Sequence, residues 1–326
     1  MKSTTYIKIN AQQPDQEAIQ RAAHFIRQGE LVAFPTETVY GLGADALNEQ
    51  AVEKIFIAKG RPATQALLIH VSSIAQVYQL AADIPRPAQL LMEAFWPGPL
   101  SLILPAGKLV PSIVRAGKAT VGFRMPAHPV ARAFIDAAGA LAAPSANLYG
   151  RPSPTSADHV RQDLHGRIAA VLDAGQTGTG MESTVLDLCA RPYRVLRRGG
   201  VSVEEVERLL EQNLLVHMPD QQAAYHLKVK ILLASDSEEM KQCLQQYSQQ
   251  GKVGLVSYDD RTPITGAGVI HYRLDLYGEE NLVYTILRNA EEQHLNTLVF
   301  APLPEALSGR AVAVADRIRR AAGLSL

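Results

Sequence analysis

The chain of 326 residues carries no net charge and few residues of the most reactive types. Its 32 basic residues are balanced by 32 acidic ones, so no overall charge draws it toward nucleic acid or an anionic membrane. Its two cysteines, Cys189 and Cys243, lie far apart and lack metal-ligand spacing. We therefore expect buried free thiols rather than a disulfide or a cysteine nucleophile.

Long apolar segments are lacking as well. No run reaches the roughly eighteen apolar residues that a membrane helix needs. The opening segment, MKSTTYIKIN, has no apolar core of the kind found in signal peptides. We expect a protein that is neither secreted nor membrane-spanning, and a cytoplasmic location.

Familiar catalytic and nucleotide-binding motifs are also missing. The sequence has no G-x-x-x-x-G-K-[ST] loop, no G-x-S-x-G elbow and no zinc spacing among its nine histidines. Gly41-Leu42-Gly43 and Gly178-Thr179-Gly180 are not followed by the spacing of a dinucleotide fingerprint. These absences argue against P-loop enzymes, serine hydrolases and metallohydrolases, so a nucleotide site would have to be of another kind.

Short β-rich runs alternate with helical patterns along the first two thirds of the chain, which is typical of an α/β fold. Hydrophobic residues make up 47% of the sequence and charged residues 20%, as in globular proteins, and the length allows two domains. Strands are predicted at 31–34, 100–104, 121–124, 169–172, 185–188 and 194–196. Helices are predicted at 14–28, 129–138 and 202–212, the last with a capping box of Ser202 and Glu205.

A second domain is predicted near the end of the chain. After Leu210 the periodicity weakens, and the polar segment 217–226 indicates an interdomain linker. Strands are predicted from Lys228 to 235, at 254–258 and at 297–301, and helices at 237–249, 279–293 and 311–322. This alternation favours a small parallel sheet with helices on its faces, and no cluster of residues in it suggests chemistry.

The segment from 31 to 70 concentrates polar groups on one strand–loop–helix–strand unit. After the strand, Thr36–Tyr40 place hydroxyls and a carboxylate on a loop that Gly41 and Gly43 let bend. Asn48 can cap the following helix, and Lys59–Pro62 close it with two cations. The segment predicts a polar, anion-binding pocket.

These residues belong to an ordered series of segments that resembles the threonylcarbamoyl-AMP synthase family of YrdC-like proteins. The matching segments are Pro35–Gly43, Lys59–Pro62 with the strand ending at His70, Phe95–Leu100, Val121–Pro126, Ala143–Asn147, Glu182–Val185 and Val195–Gly199. Any one of these segments would be weak evidence for the resemblance. Seven of them in the same order over about two hundred residues make a chance agreement implausible.

The resemblance implies an N-terminal YrdC-like twisted mixed-sheet α/β domain at 1–212, a linker serving as active-site lid at 213–227, and a smaller C-terminal Rossmann-like parallel α/β domain at 228–326. The implied reaction converts L-threonine, bicarbonate or CO2, and ATP into threonylcarbamoyl-AMP and pyrophosphate. The product would serve N6-threonylcarbamoyladenosine formation in tRNA. A tRNA threonylcarbamoyl transferase could receive it, and direct tRNA contact is not required.

The resemblance also implies roles for single residues. Thr38, His70, Arg124 and Ser183 match positions that bind L-threonine. Lys59 and Arg61 are the catalytic candidates. The positions implied around ATP are Lys59, Arg61, Gln65, Thr120, Ser145, Asn147, Ser153, Arg197, Tyr225 and His226.

The charges of the implied substrates explain the cations in this set. Threonine, its N-carboxylated form and a triphosphate repel one another, so a site that gathers them needs cations and oriented dipoles. A forked guanidinium suits a carboxylate, which makes Arg124 the expected threonine clamp, while Lys59 and Arg61 suit phosphates. Mg2+ is expected to come with ATP, because no carboxylate pair marks a metal site held by the protein. Without an evident nucleophile or base, we expect catalysis by positioning.

Structural explanations remain open for several of these residues taken singly. Lys59–Pro62 can be a helix stop that complements the macrodipole, and His70 can be a satisfied core histidine. The loops at 36–38 and 145–147 can be ordinary turns. Trp96 is expected to pack in the core rather than stack on a ligand.

Two departures from the family pattern keep other functions open. Gln65-Ala66 stands where the family usually has Asn-Pro, and the linker reads Met218-Pro219-Asp220 and ends Tyr225-His226, where the family has Ser-Pro-Gly and His-Tyr. One alternative is an RNA-binding, threonine-binding or nucleotide-binding module of the same fold without synthase activity. Another is a carbamoyl-adenylate enzyme akin to the hydrogenase-maturation relatives, whose zinc-type cysteine motifs are absent here.

Overall fold

The computed structural model describes residues 3–217, 224–258, 268–278 and 282–324. Contacts between Cα atoms divide the chain into two compact units, Met1–Tyr149 with Ser153–Met218, and Gly150–Pro152 with Pro219–Leu326. The fold is mixed α/β with one large and one small sheet, which confirms the predicted fold class. Among the helices so described, none is long and apolar enough to cross a membrane.

The first unit is built on a mixed sheet that has eleven strands within the described ranges. The strands are β1 (Thr5–Lys8), β2 (Val32–Phe34), β3 (Gly41–Asp45), β4 (Leu68–His70), β5 (Leu100–Pro105), β6 (Thr120–Arg124), β7 (Leu141–Ala142), β8 (Ala170–Asp173), β9 (Thr184–Asp187), β10 (Arg194–Arg197) and β11 (Leu215–Val216). Their order across the sheet is β1-β8-β2-β3-β7-β4-β6-β5-β9-β10-β11, with parallel and antiparallel pairs mixed.

Helices cover this sheet on both faces. They are α1 (Gln16–Arg27), α2 (Glu49–Lys59), α3 (Ile74–Leu80), α4 (Arg86–Phe95), α5 (Pro129–Ala138), α6 (Ala157–Leu164) and α7 (Val203–Leu210). Successive side chains of a strand point to opposite faces. On β2, Ala33 accordingly joins one hydrophobic cluster, and Val32 and Phe34 join the other, which includes residues of α1 and α5.

The predicted helix boundaries in this unit rest on side-chain caps. The Asn48 side chain accepts from the Ala51 backbone N–H at the start of α2. The helix ends at Gly60, which adopts the left-handed conformation at φ 64°. Ser202 and Glu205 form the predicted capping box at the start of α7.

The loop Thr36–Tyr40, called here the threonine-rich loop, is followed by two glycines that were predicted to let it bend. These glycines lie in a strand instead. Gly41–Asp45 is β3 and pairs antiparallel with β2. A Cβ atom at Gly41 or at Gly43 would approach the Phe34 ring to 3.1 Å. The glycines therefore make room for an aromatic ring across the strand pair, rather than providing a bend.

Both cysteines are free thiols, but the prediction that they are buried was wrong. Cys189 is exposed because it follows β9 in a surface turn, where its backbone N–H donates to Asp187 Oδ1 at 2.9 Å. Cys243 is half-buried beside a small hydrophobic cluster. The prediction for Trp96 is confirmed, since it packs in the main core and its Nε1–H donates to the Leu100 carbonyl at 2.7 Å.

The second unit contains a parallel sheet flanked by helices, as the sequence predicted. The strands are β12 (Lys230–Leu233), β13 (Val253–Ser257), β14 (Ile270–Arg273) and β15 (Thr297–Phe300), in the order β12-β15-β13-β14. The helices are α8 (Ser237–Ser248), α9 (Val283–Glu292) and α10 (Arg310–Ala321). The sequence did not predict β14. The predicted residues 279–281 of the α9 helix lie outside the described residues.

Three residues from the middle of the chain belong to this second unit. The Gly150 carbonyl accepts from the backbone N–H of His226 at 2.8 Å. The Arg151 guanidinium pairs with Glu291 at 2.8 Å, and the buried Arg288 donates to the Pro152 carbonyl at 2.6 Å. The short segment is thus held by a charged and hydrogen-bonded network.

We expect Ser202→Ala to lower the free energy of unfolding of the first unit by about 1 kcal/mol, because it removes a side-chain cap. The fluorescence of Trp96, the single tryptophan, reports this transition during urea denaturation. Ser73→Ala is the matched control, since Ser73 also precedes a helix but makes no capping hydrogen bond within the described structure. Equal shifts in the two urea midpoints would contradict the assignment.

Candidate functional site

A buried ion pair lies between the threonine-rich loop and the end of β6. The Arg124 Nη2 atom is 2.8 Å from Glu37 Oε1, and the two side chains are 5% and 16% exposed. The geometry is that of an ion pair rather than an aligned hydrogen bond. The Nε–H of Arg124 also donates to the Gly98 carbonyl at 3.4 Å. The sequence had placed Glu37 in the polar loop without assigning it a role.

His70 lies beside this ion pair because β4 and β6 are parallel and place it opposite Arg124. The ring is buried and meets the Phe34 ring edge-on, with centroids 6.1 Å apart. Burial, and then the charge of Arg124, lower the pKa of His70 to about 3. His70 is therefore a neutral imidazole at neutral pH.

The hydroxyls of the threonine-rich loop are organised by Thr36. Its Oγ1 accepts from the backbone N–H groups of Thr38 and Val39, each at 3.2 Å, and donates to the Val39 carbonyl at 2.7 Å. The hydroxyl of Thr38 lies 2.8 Å from that of Thr36 and is fully buried. The predicted ligand Thr38 thus sits in a fixed turn.

Ser183 and Arg197, two further predicted site residues, contact each other. Arg197 donates from Nε to the Ser183 carbonyl and from Nη2 to the Ser183 hydroxyl, both at 3.0 Å. The Ser183 hydroxyl also lies 2.7 Å from that of Ser101 on β5. The charge of Arg197 contributes to lowering the pKa of His70, so this pair belongs to the same electrostatic neighbourhood.

Lys59 is buried and turned toward the loop that carries Ser145 and Asn147. Its ammonium donates to the Asn147 carbonyl at 2.5 Å and to the Ser145 carbonyl. The backbone N–H of Tyr149 in turn donates to the Lys59 carbonyl at 2.8 Å. Three predicted site residues are therefore brought together, with the lysine charge beneath the loop.

Arg61 and Gln65 lie just beyond α2. Arg61 Nη2 donates to the Ala66 carbonyl at 3.2 Å, while its buried Nε–H makes no hydrogen bond within the described part of the chain. Burial lowers the pKa of this guanidinium. Gln65 Nε2 donates to the Tyr149 hydroxyl at 2.6 Å. Thr120 is the first residue of β6, which is parallel to β4. Thr120 therefore lies near the same end of this strand pair as Gln65, which precedes β4.

The remaining predicted residues lie in two places. Ser153, in the first unit, donates from its hydroxyl to Glu182 Oε1 at 2.7 Å. Tyr225, in the second unit, is buried with its hydroxyl 3.1 Å from that of Tyr284 and its ring under the Arg320 guanidinium. His226 is exposed in that same unit. Residues 218–223 of the predicted lid at 213–227 lie outside the described residues.

Fold and site together define a two-domain α/β protein whose larger unit carries a buried cluster of cations and hydroxyls. A family model named Sua5_yciO_yrdC, described as telomere recombination, matches residues 24–199, and one for the threonylcarbamoyl-AMP synthase C-terminal domain matches residues 201–323. The chain belongs to the threonylcarbamoyl-AMP synthase family, which confirms the resemblance seen in the sequence.

Similar sequences and a similar crystal structure match over nearly the whole chain. Identity is 39% over 330 residues to the threonylcarbamoyl-AMP synthase of Pyrococcus abyssi, covering 94% of each chain. It is 39% over 325 residues to that of Bacillus subtilis, covering 94% of this chain and 93% of the other. The crystal structure of P. abyssi Sua5 complexed with L-threonine has a TM-score of 0.90 at 36% identity, covering 98% of each chain.

Stability should fall as the pH drops below about 6.5, partly because of His70. Its pKa is about 3 when folded and ordinarily 6.5, so the unfolded chain binds more protons between these values and folding is favoured above them. We expect a urea midpoint, followed by Trp96 fluorescence, that falls more between pH 7.5 and 5.5 in the wild type than in His70→Gln. His24→Gln, at an exposed position of α1, should behave like the wild type; equal pH responses in all three would contradict this.

Proposed function

We propose that the protein joins L-threonine, bicarbonate or CO2, and ATP to form threonylcarbamoyl-AMP, with release of pyrophosphate. The observation that carries the proposal is Arg124, a buried guanidinium held beside the neutral His70 in a chain of this family. A buried fork of N–H donors is suited to an amino-acid carboxylate. The relative from P. abyssi has been crystallised with L-threonine.

The threonine side chain would be recognised by hydroxyl and imidazole groups close to Arg124. Thr38 and Ser183 carry buried hydroxyls, and each of these already lies within 2.8 Å of another hydroxyl. A neutral imidazole such as that of His70 can accept or donate one hydrogen bond at each nitrogen. In our proposal these three residues select the β-hydroxyl of L-threonine over an apolar side chain, because an apolar group would leave the buried Nδ1 of His70 without a hydrogen-bond partner.

The nucleotide would lie on the side of Lys59 and Arg61. Arg61 is a half-buried cation whose buried Nε–H makes no hydrogen bond within the described structure, and it suits a phosphate oxygen. Lys59 would act from beneath, since its charge polarises the loop that presents Ser145 and Asn147. Roles at the nucleotide are proposed as well for Gln65, Thr120, Ser153, Arg197, Tyr225 and His226.

The chemistry would proceed by positioning and charge stabilisation. The α-ammonium of bound threonine loses a proton to water, and the neutral amine bonds to carbon dioxide and releases a second proton to give the carbamate. A carbamate oxygen then attacks the α-phosphorus as the bond to pyrophosphate breaks. Mg2+ bound to the triphosphate would favour departure of pyrophosphate. In this proposal Mg2+ arrives with the nucleotide, whose phosphate oxygens are ligands that the ion prefers.

The domain roles are part of the same proposal. Residues 1–212 would carry the catalytic site, residues 213–227 would cover it, and residues 228–326 would form the C-terminal domain. A mixed anhydride such as the product hydrolyses easily, which gives a reason to exclude water from the site. The product would be passed to a tRNA threonylcarbamoyl transferase for adenosine modification.

We expect pyrophosphate release from ATP, Mg2+ and bicarbonate to depend on L-threonine and to be weak with serine, valine or no amino acid. Arg124→Lys should lower kcat/KM for threonine by about tenfold or more, because an ammonium cannot reproduce the guanidinium fork. Arg132→Lys, at an exposed position of α5, is the matched control and should leave the rate unchanged. Threonine or ATP binding without turnover would instead indicate a binding module.

Replacing Lys59 with methionine should reduce ATP-dependent turnover strongly, since the substitution keeps most of the volume but removes the charge below the Ser145–Asn147 loop. Lys54→Met, at a half-exposed position of the same helix, provides the control. The Trp96 unfolding transition shows whether the variants are folded. A folded Lys59→Met protein with wild-type turnover would contradict a role for this lysine.

A further inference from the structure

Glu37 has an environment that the threonine-clamp role of Arg124 does not explain. Both oxygens of its carboxylate are buried, and neither receives a hydrogen bond from the residues that the structure describes. Its polar contact is the ion pair with Arg124 at 2.8 Å. An ionised carboxylate can accept about four hydrogen bonds, and buried polar groups nearly always have them.

Hydrogen bonds fix the backbone that carries Glu37. The backbone N–H of Thr179 donates to the Glu37 carbonyl at 2.7 Å, and the Thr179 hydroxyl donates to it at 2.9 Å. Thr36, the residue before Glu37, stabilises the turn through the hydrogen bonds of its hydroxyl to the backbone of Thr38 and Val39. The loop therefore fixes the position from which the Glu37 side chain reaches Arg124.

Neighbouring groups do not supply the missing positive charge. His128, at the start of α5, is near enough for Glu37 to favour its protonated form, but burial has the larger effect and lowers the pKa of His128. His70 is neutral. Glu37 thus faces one guanidinium, which also has to serve a substrate carboxylate. A guanidinium has five N–H donors and can do both.

We propose that Glu37 binds the α-ammonium of the amino-acid substrate, so that Glu37 and Arg124 together recognise the zwitterion. This inference rests on the proposed function. An α-amino acid carries its ammonium and carboxylate on one carbon, which matches a carboxylate and a guanidinium in direct contact. The ammonium brings three N–H donors to oxygens that otherwise lack them, and a charged hydrogen bond in a buried site is strong.

The same contact has a second explanation with the opposite consequence. Glu37 could occupy Arg124 in place of the substrate carboxylate and compete with it. Removing the charge would then strengthen binding of any carboxylate, with or without an ammonium. A purely structural Glu37 would instead change the affinity for all such ligands by one common factor.

Calorimetric titration with two ligands separates these cases. The ligands are L-threonine and (2S,3R)-2,3-dihydroxybutyrate, which keeps the carboxylate and the β-hydroxyl but has a hydroxyl in place of the amine. The proteins are the wild type, Glu37→Gln, Glu37→Asp and the control Glu30→Gln, whose carboxylate pairs with Lys54 on the surface of the same unit. ATP affinity and the Trp96 unfolding midpoint, measured on each variant, show that the fold is retained.

We expect Glu37→Gln to weaken L-threonine binding by about tenfold or more, with little change or a gain for dihydroxybutyrate. Glu37→Asp, which keeps the charge, should preserve the preference for L-threonine. Equal changes for both ligands, or tighter L-threonine binding by Glu37→Gln, would overturn the inference while leaving the proposed function in place. A wild-type protein that binds no L-threonine would overturn the proposed function, and this inference with it.

Discussion

The arrangement of the first unit depends on holding several cations inside a folded protein. Lys59 and Arg124 are 2% and 4% exposed, and a buried charge is costly unless polar groups surround it. Each cation is satisfied by a segment remote in sequence: Lys59 by carbonyls at 145 and 147, Arg124 by Glu37, and Arg197 by Ser183. These contacts connect segments of the first unit that are separated in the sequence.

The same field fixes the state of His70. Two guanidiniums and burial all disfavour its charged form, so the imidazole remains neutral where a substrate hydroxyl would need a partner with both donor and acceptor capacity. A histidine that charged at neutral pH would add one more cation to a crowded cluster. The charges of Arg124 and Arg197, which would attract anions to the site, therefore also help to keep His70 neutral and able to donate and accept hydrogen bonds. Because they lower the pKa of His70 in the folded protein, the same charges make the stability of the fold sensitive to acid.

Local signals in the sequence predicted most elements, because periodicity and capping act over a few residues. The caps at Asn48 and Ser202 are examples. The edge strand β14 was missed because alternate residues in it are exposed and its sequence has no continuous apolar run. The strand β3 was read as a loop because the need for Gly41 and Gly43 comes from Phe34, a tertiary neighbour. Motifs named the cations of the site, but they could not show that Glu37 would be buried against Arg124.

Two cations of the candidate site, Arg124 and Lys59, already have partners within the protein, so a ligand would join or replace existing contacts. Arg124 is paired with Glu37, and Lys59 is bonded to two carbonyls. A ligand gains affinity only by the difference between its own contacts and those it displaces. An anion without a positive group would be repelled by the Glu37 carboxylate beside Arg124, whereas a zwitterion can retain the ion pair and add a contact of its own. The protein can therefore distinguish amino acids from simple carboxylates without any contact to the side chain of the ligand.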